Sequence, residues 1–149
     1  LRIKQAKDWK TGQMAWKLAK SPANFDSAAG IDYTVDVTRP YGERVNILSM
    51  ADGRAFEMDK MYTVGITSYR ASGAGGLLKA AGLLSAEDVE ARTLFKGPEF
   101  RTILYEYFLK NGSIDPEVTG KKELVGRWKF VPEGVSEGIV KDVELLYGK

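Results

Sequence analysis

The feature that most constrains this chain is a stretch of strict alternation. Ile31, Tyr33, Val35 and Val37 take turns with Asp32, Thr34, Asp36 and Thr38. A period of two puts the apolar set on one face of a strand and the polar set on the other. Such a strand needs a sheet to pair with and a core to lie on. Pro40-Tyr41-Gly42 follows as a turn, and Arg44 to Met50 reads as a second strand with Val45 and Ile47 on one face. Asp52-Gly53 is a tight-turn pair. The fold must therefore contain a sheet with hairpin-like connections.

Further elements follow along the chain. Tyr62, Val64 and Ile66 alternate with Thr63, Gly65 and Thr67, which predicts a third strand running into Ser72-Gly73-Ala74-Gly75-Gly76. Leu77, Leu78, Ala81 and Leu84 then share one side of a helix that Gly82 weakens. Ser85 to Asp88 fits a capping box with Asp in place of Glu or Gln. Arg92 to Phe95 is a short strand candidate. Gly97-Pro98 opens the clearest helix, whose Phe100, Ile103, Leu104, Tyr107 and Phe108 form one apolar stripe, expected to be core. Asn111-Gly112 is a typical helix stop. Trp128, Phe130 and Val131 predict a last strand closed by Pro132, and Val135, Ile139, Val140, Val143 and Leu146 a terminal helix. Residues 1–23 carry Trp9, Trp16 and a helix-interrupting Gly12 without clear periodicity, and read as a loop or surface arm. Interleaved strands and helices with tight turns favour an α+β fold with a mixed β-sheet and packed helices over a doubly wound one.

Composition removes several chemistries. The 149 residues include no Cys and no His. That excludes disulfides, thiolate nucleophiles, zinc fingers, a Ser-His-Asp triad and imidazole metal ligands. The formal charge of +2, from 22 basic and 20 acidic residues, is too balanced for a dedicated nucleic-acid surface. No apolar run approaches the roughly 20 residues that span a bilayer. The chain starts at Leu1, as expected for a piece of a longer polypeptide, so the lack of a leader excludes no location.

Two groups of residues could carry function. The glycine cluster follows a predicted strand, where open backbone lets a ligand approach closely. It matches neither the P-loop, since Gly75-Gly76 leads to Leu77-Leu78, nor the dinucleotide fingerprint, since Leu78 stands where a glycine is needed. A plain flexible connection is the simpler reading. Tyr69 and Arg70 beside it supply an aromatic face and a guanidinium that suit a planar polar ligand such as a nucleobase. Separately, Asp26, Asp32 and Asp36 could make an oxygen-rich metal site, though such residues more often form the solvated face of an edge strand.

Several blocks together resemble a known family. Asn24-Phe25-Asp26-Ser27-Ala28-Ala29-Gly30-Ile31-Asp32-Tyr33-Thr34-Val35-Asp36-Val37-Thr38 is similar to the "NFD…AGI.Y.IDV" block of the 5′-nucleotidase C-terminal domain. Arg44-Val45-Asn46-Ile47-Leu48 with Gly53 fits the hairpin that follows it. Tyr62-Thr63-Val64 through Ser68-Tyr69-Arg70-Ala71-Ser72-Gly73 fits "Y.VA.NSYR..GG", and Trp128-Lys129-Phe130-Val131-Pro132 fits the closing "NWKFVP" of bacterial members. The order and spacing agree over residues 24–132, and the subgroup most resembled is the 2′,3′-cyclic-nucleotide 2′-phosphodiesterase/3′-nucleotidase type.

The resemblance implies a 5′-nucleotidase C-terminal domain at residues 24–132, with an arm before it and a C-terminal extension, helical in pattern, at 133–149. It implies an exported enzyme, periplasmic, extracellular or at the cell surface. An N-terminal metallophosphatase domain of the same polypeptide would hold two divalent metal ions, so no cofactor and no catalytic residue is expected in this chain. The C-terminal domain would hold a nucleoside or nucleotide, with Tyr69 stacking on the base and Arg70, Ser72, Gly73, Gly75 and Gly76 forming the adjoining loop. Three positions depart from the pattern: Thr67 replaces a common Asn, Ala74 a common Gly, and Leu77 a stacking Phe found in some members. They keep open a second reading, a degenerate domain used for packing or docking. A third, an autonomous enzyme working through carboxylates alone, has no residue pattern of its own here.

Overall fold

The computed structural model describes residues 3–18, 24–82, 85–115, 117 and 127–148. The chain divides into two compact units, one made of Leu1–Met58 with Gly120–Lys149 and the other of Asp59–Thr119.

The first unit holds both sheets. β1 (Ile3–Lys7) and β2 (Met14–Leu18) pair antiparallel, with Gln5 opposite Trp16. Residues 3–18, read from the sequence as a loop or arm, thus form a hairpin. Gly12, at φ +73, makes its turn, and its N–H donates to the Asp8 carbonyl at 2.8 Å. The Asp8 carboxylate braces the turn by accepting from the Lys10 and Thr11 N–H groups.

The second sheet is mixed, as the sequence predicts. β3 (Ile31–Asp36) lies between β4 (Val45–Met50), antiparallel, and β5 (Trp128–Val131), parallel. Asp52-Gly53 closes the turn after β4, with the Gly53 N–H on the Met50 carbonyl at 3.0 Å. The central strand carries the core: Tyr33 is 7% exposed. Its ring lies nearly parallel to that of Trp128, 13° between planes and 5.9 Å between centroids. Phe25 and Phe130 flank the indole at 5.6 and 5.1 Å. The Tyr33 hydroxyl accepts from the Ala28 N–H, so the polar end of the ring is satisfied where its body is buried. The terminal helix, which we number α5 (Val135–Tyr147), packs against β2 and β5.

The second unit is helical: α1 (Ser68–Ala71), a tight 3₁₀ turn at Ala74–Gly76, α2 (Leu77–Ala80), α3 (Ala86–Arg92) and α4 (Phe100–Asn111). Ser85 and Asp88 form the reciprocal capping box of α3 that their spacing predicts. Gly112 stops α4 at φ +73.

Four expectations change here. Residues 62–66 form no strand, because alternation makes a strand only when a neighbour accepts its backbone hydrogen bonds. Arg92 to Phe95 is not a strand either, because α3 runs to Arg92 and Thr93 caps it. The helix after the glycines is a single turn that Gly82 ends at φ +83, and Leu84 lies outside the described residues. The α4 stripe is not core: no residue of α4 is buried, and Phe100 is 62% exposed. Among its described residues the unit has no sheet for that stripe to face.

Candidate functional site

The six residues singled out from the sequence lie in one local structure of the second unit. Thr67 begins it as the N-cap of α1, its side-chain oxygen accepting from the Arg70 N–H at 3.3 Å. The single turn Ser68–Ala71 is closed by backbone bonds from Ala71 to Thr67 and from Ser72 to Ser68. Gly73 then takes φ +87, and Gly75 and Gly76 take +77 and +73. These left-handed conformations are costly for side-chain-bearing residues and cheap for glycine, so the glycines permit the sharp reversal into α2.

Each side chain in this turn has a definite place. Tyr69 is 62% exposed. The Arg70 guanidinium carbon sits 5.3 Å from the centroid of that ring, and Arg70 Nη1 donates to the Ala74 carbonyl at 3.2 Å. The Ser72 hydroxyl donates to the Tyr69 carbonyl at 2.8 Å, so its proton is used within the turn. A Cβ added at Gly73 or Gly76 would meet no heavy atom within 4 Å, which leaves the backbone open there. The chemistry available is recognition: an exposed aromatic face with a cation beside it and a polar backbone turn suit a flat heteroaromatic ligand.

The departures from the pattern the sequence resembles fit this geometry in two cases. Thr67 caps α1 with its hydroxyl, a role that Asn also performs. Ala74 needs no left-handed backbone, since among the described residues only glycines have positive φ. Leu77 differs in kind: at the start of α2 it supplies an aliphatic surface where some members carry a second ring.

The acidic trio does not form a metal site. Asp32 is gripped by Arg127 and also accepts from the Ser49 hydroxyl at 3.3 Å. Asp36 accepts from the Thr38 N–H and hydroxyl and lies 3.5 Å from Arg39 Nε. Those contacts, the Thr38 hydroxyl first, hold its carboxyl below the ordinary carboxylate value. Among the described residues no group of three or more His, Cys, Asp or Glu could hold a metal ion. Arg127 belongs to no sequence motif; its only signal is its place directly ahead of the Trp128-Lys129-Phe130-Val131-Pro132 block.

Comparison with protein families decides the class. The model of the family described as 5′-nucleotidase, C-terminal domain, matches residues 2–82, more than half of the chain. The chain belongs to the 5′-nucleotidase C-terminal domain family. The matched stretch runs from the β1–β2 hairpin through β3 and β4 to the glycine turn and α2, and leaves the Trp128–Pro132 block outside it. The α+β fold with its mixed sheet agrees with this membership. No curated protein and no solved structure matches the chain. No helix among the described residues is long and apolar enough to cross a membrane.

Proposed function

We propose that this chain is the nucleoside-recognition domain of a metal-dependent nucleotidase, and that Tyr69 stacks on the base. The observation that carries the reading is the exposed Tyr69 ring held beside the open glycine turn in a member of this family. Gly73, Gly75 and Gly76 let the ligand approach the backbone, while the Ser72 hydroxyl closes the turn on the Tyr69 carbonyl. The enzyme would be of the 2′,3′-cyclic-nucleotide 2′-phosphodiesterase/3′-nucleotidase type. It would act in the periplasm, outside the cell or at its surface. An N-terminal metallophosphatase domain of the same polypeptide would carry two divalent metal ions.

Titration of the 149-residue chain with adenosine, followed by chemical shifts, tests the reading. Saturable binding that weakens in Tyr69→Ala is expected. Stacking contributes about 1–3 kcal/mol per base, so Kd should rise roughly 5- to 150-fold. An unchanged Kd in Tyr69→Ala sinks the stacking role. No saturable binding to the unmodified chain would favour the packing or docking reading, for which Leu77 in place of a second ring is the supporting observation.

A further inference from the structure

We propose that Arg70 is a positioning residue, one that fixes the Tyr69 ring and the Gly73–Gly76 turn relative to each other rather than contacting the ligand; this rests on the reading of the turn as a nucleoside site. Its side chain reaches in two directions at once. The guanidinium carbon lies 5.3 Å from the Tyr69 ring centroid, and Nη1 donates to the Ala74 carbonyl at 3.2 Å. Arg70 is half-buried, whereas the ring it touches is largely exposed.

The turn needs such a tether. A four-residue helix is far too short to be stable alone. Three left-handed glycines in the next five residues lose more backbone entropy on ordering than any other residues would. Local backbone bonds close each end, from the Gly73 N–H to the Arg70 carbonyl and from the Gly76 N–H to the Gly73 carbonyl. Arg70 adds a side-chain link from α1 across Gly73 to Ala74. A planar guanidinium can lie against a ring and donate in its own plane together, which a lysine ammonium cannot do.

The experiment uses the 149-residue chain, the variants Arg70→Ala and Arg70→Lys, and two probes, adenosine and adenosine 3′-monophosphate. Without ligand, Arg70→Ala should speed exchange of the Gly76 amide by roughly fivefold or more and move the Tyr69 ring resonances, as expected for losing one local hydrogen bond. The Asp88 amide, held by the Ser85 hydroxyl at 3.1 Å in the α3 cap, should not change. Both probes should weaken by the same factor, about three- to tenfold, with Arg70→Lys restoring only part of the loss. A loss confined to the phosphate-bearing probe would make Arg70 a direct phosphate contact and overturn the proposal. Full rescue by lysine, unmoved Gly76 and Tyr69 signals, or an equal change at Asp88 would overturn it as well. If the unmodified chain binds neither probe, the nucleoside reading fails, and the ligand-free signals alone decide whether Arg70 orders the turn.

Discussion

Arg127 closes a two-pronged ion pair on Asp32, Nε to Oδ1 at 2.6 Å and Nη2 to Oδ2 at 2.8 Å, across 95 positions of sequence. Both side chains are largely shielded, 21% and 28% exposed. The bond ties the segment entering β5 to the start of β3 and sets the edge at which these strands meet in parallel. A forked, charge-assisted pair in this setting is stronger than an ordinary surface ion pair. Arg127→Ala should therefore lower the unfolding free energy by about 1–3 kcal/mol in urea titrations. Arg54→Ala, which breaks a pair with Asp52 that is 70% and 53% exposed, provides the contrast and should cost about 0–1 kcal/mol. Equal losses in the two variants would show that the shielded fork is worth no more than the exposed pair.

Trp128 stacks on Tyr33 and meets Phe25 and Phe130 on its other sides. Truncation to Ala would open a cavity beside the most buried apolar residue described. Because the indole is only half-buried, the expected cost is about 2–4 kcal/mol, with Trp128→Phe recovering much of it. Near-ultraviolet circular dichroism of the Tyr33–Trp128 pair should collapse in the Ala variant. A spectrum unchanged in the Ala variant would mean the stack does not organise the sheet.

The hairpin should respond to acid. Lys17 Nζ sits 3.0 Å from Asp8 Oδ2. The hydrogen bond from Lys17, followed by those from the Thr11 and Lys10 N–H groups, lowers the Asp8 pKa from 3.8 to about 2. A carboxyl held down in the folded state stabilises that state fully above its unfolded value and stops doing so as the pH falls to its folded value. The Asp8 contribution should thus be complete above about pH 4 and vanish by about pH 2. Titration of the Gly12 amide, which donates to the Asp8 carbonyl, should report it. Lys17→Ala should move the Asp8 midpoint up towards the ordinary carboxylate range; an unmoved midpoint would contradict the geometry.

Gly76 and Gly65 separate backbone conformation from space. A Cβ meets nothing within 4 Å at either, but only Gly76 has a left-handed φ, +73. Gly76→Ala should destabilise by about 1–2 kcal/mol through strain alone. Gly65→Ala should be neutral or stabilising by up to about 1 kcal/mol, through the unfolded chain. Thermal melts of both variants check the pair, and a neutral Gly76→Ala would mean the turn tolerates a right-handed backbone.

Much of the candidate site was legible in the sequence because its residues are neighbours. Tyr69, Arg70, Ser72 and the glycines occupy eight consecutive positions, so their proximity needs no tertiary contact. What Arg70 and Ser72 do there was not legible. Both appear as loop-forming residues in the pattern, yet each bonds a backbone carbonyl of the turn itself, which depends on rotamers that spacing does not encode. The acidic trio shows the opposite case. Three carboxylates close in sequence suggest a cation site, but the partner that satisfies Asp32 arrives from residue 127.

The sequence by itself determined the elements whose signals lie within a few residues: β3 and β4 from alternation, the α3 cap from Ser85 and Asp88, the α4 stop at Gly112, and β5 and the terminal helix from their apolar spacing. Tertiary structure alone decided which of the alternating stretches became strands. Residues 62–66 have the pattern but no strand, while residues 3–7 and 14–18 have a weak pattern and found each other across Gly12. It also decided that Arg127 meets Asp32 and that the α4 stripe stays uncovered within its unit. The physical reason is common to all of these. Caps and periodicity are satisfied by hydrogen bonds and faces within one turn or one strand, whereas a strand or a buried charge needs a partner that only long-range closure of the chain can bring.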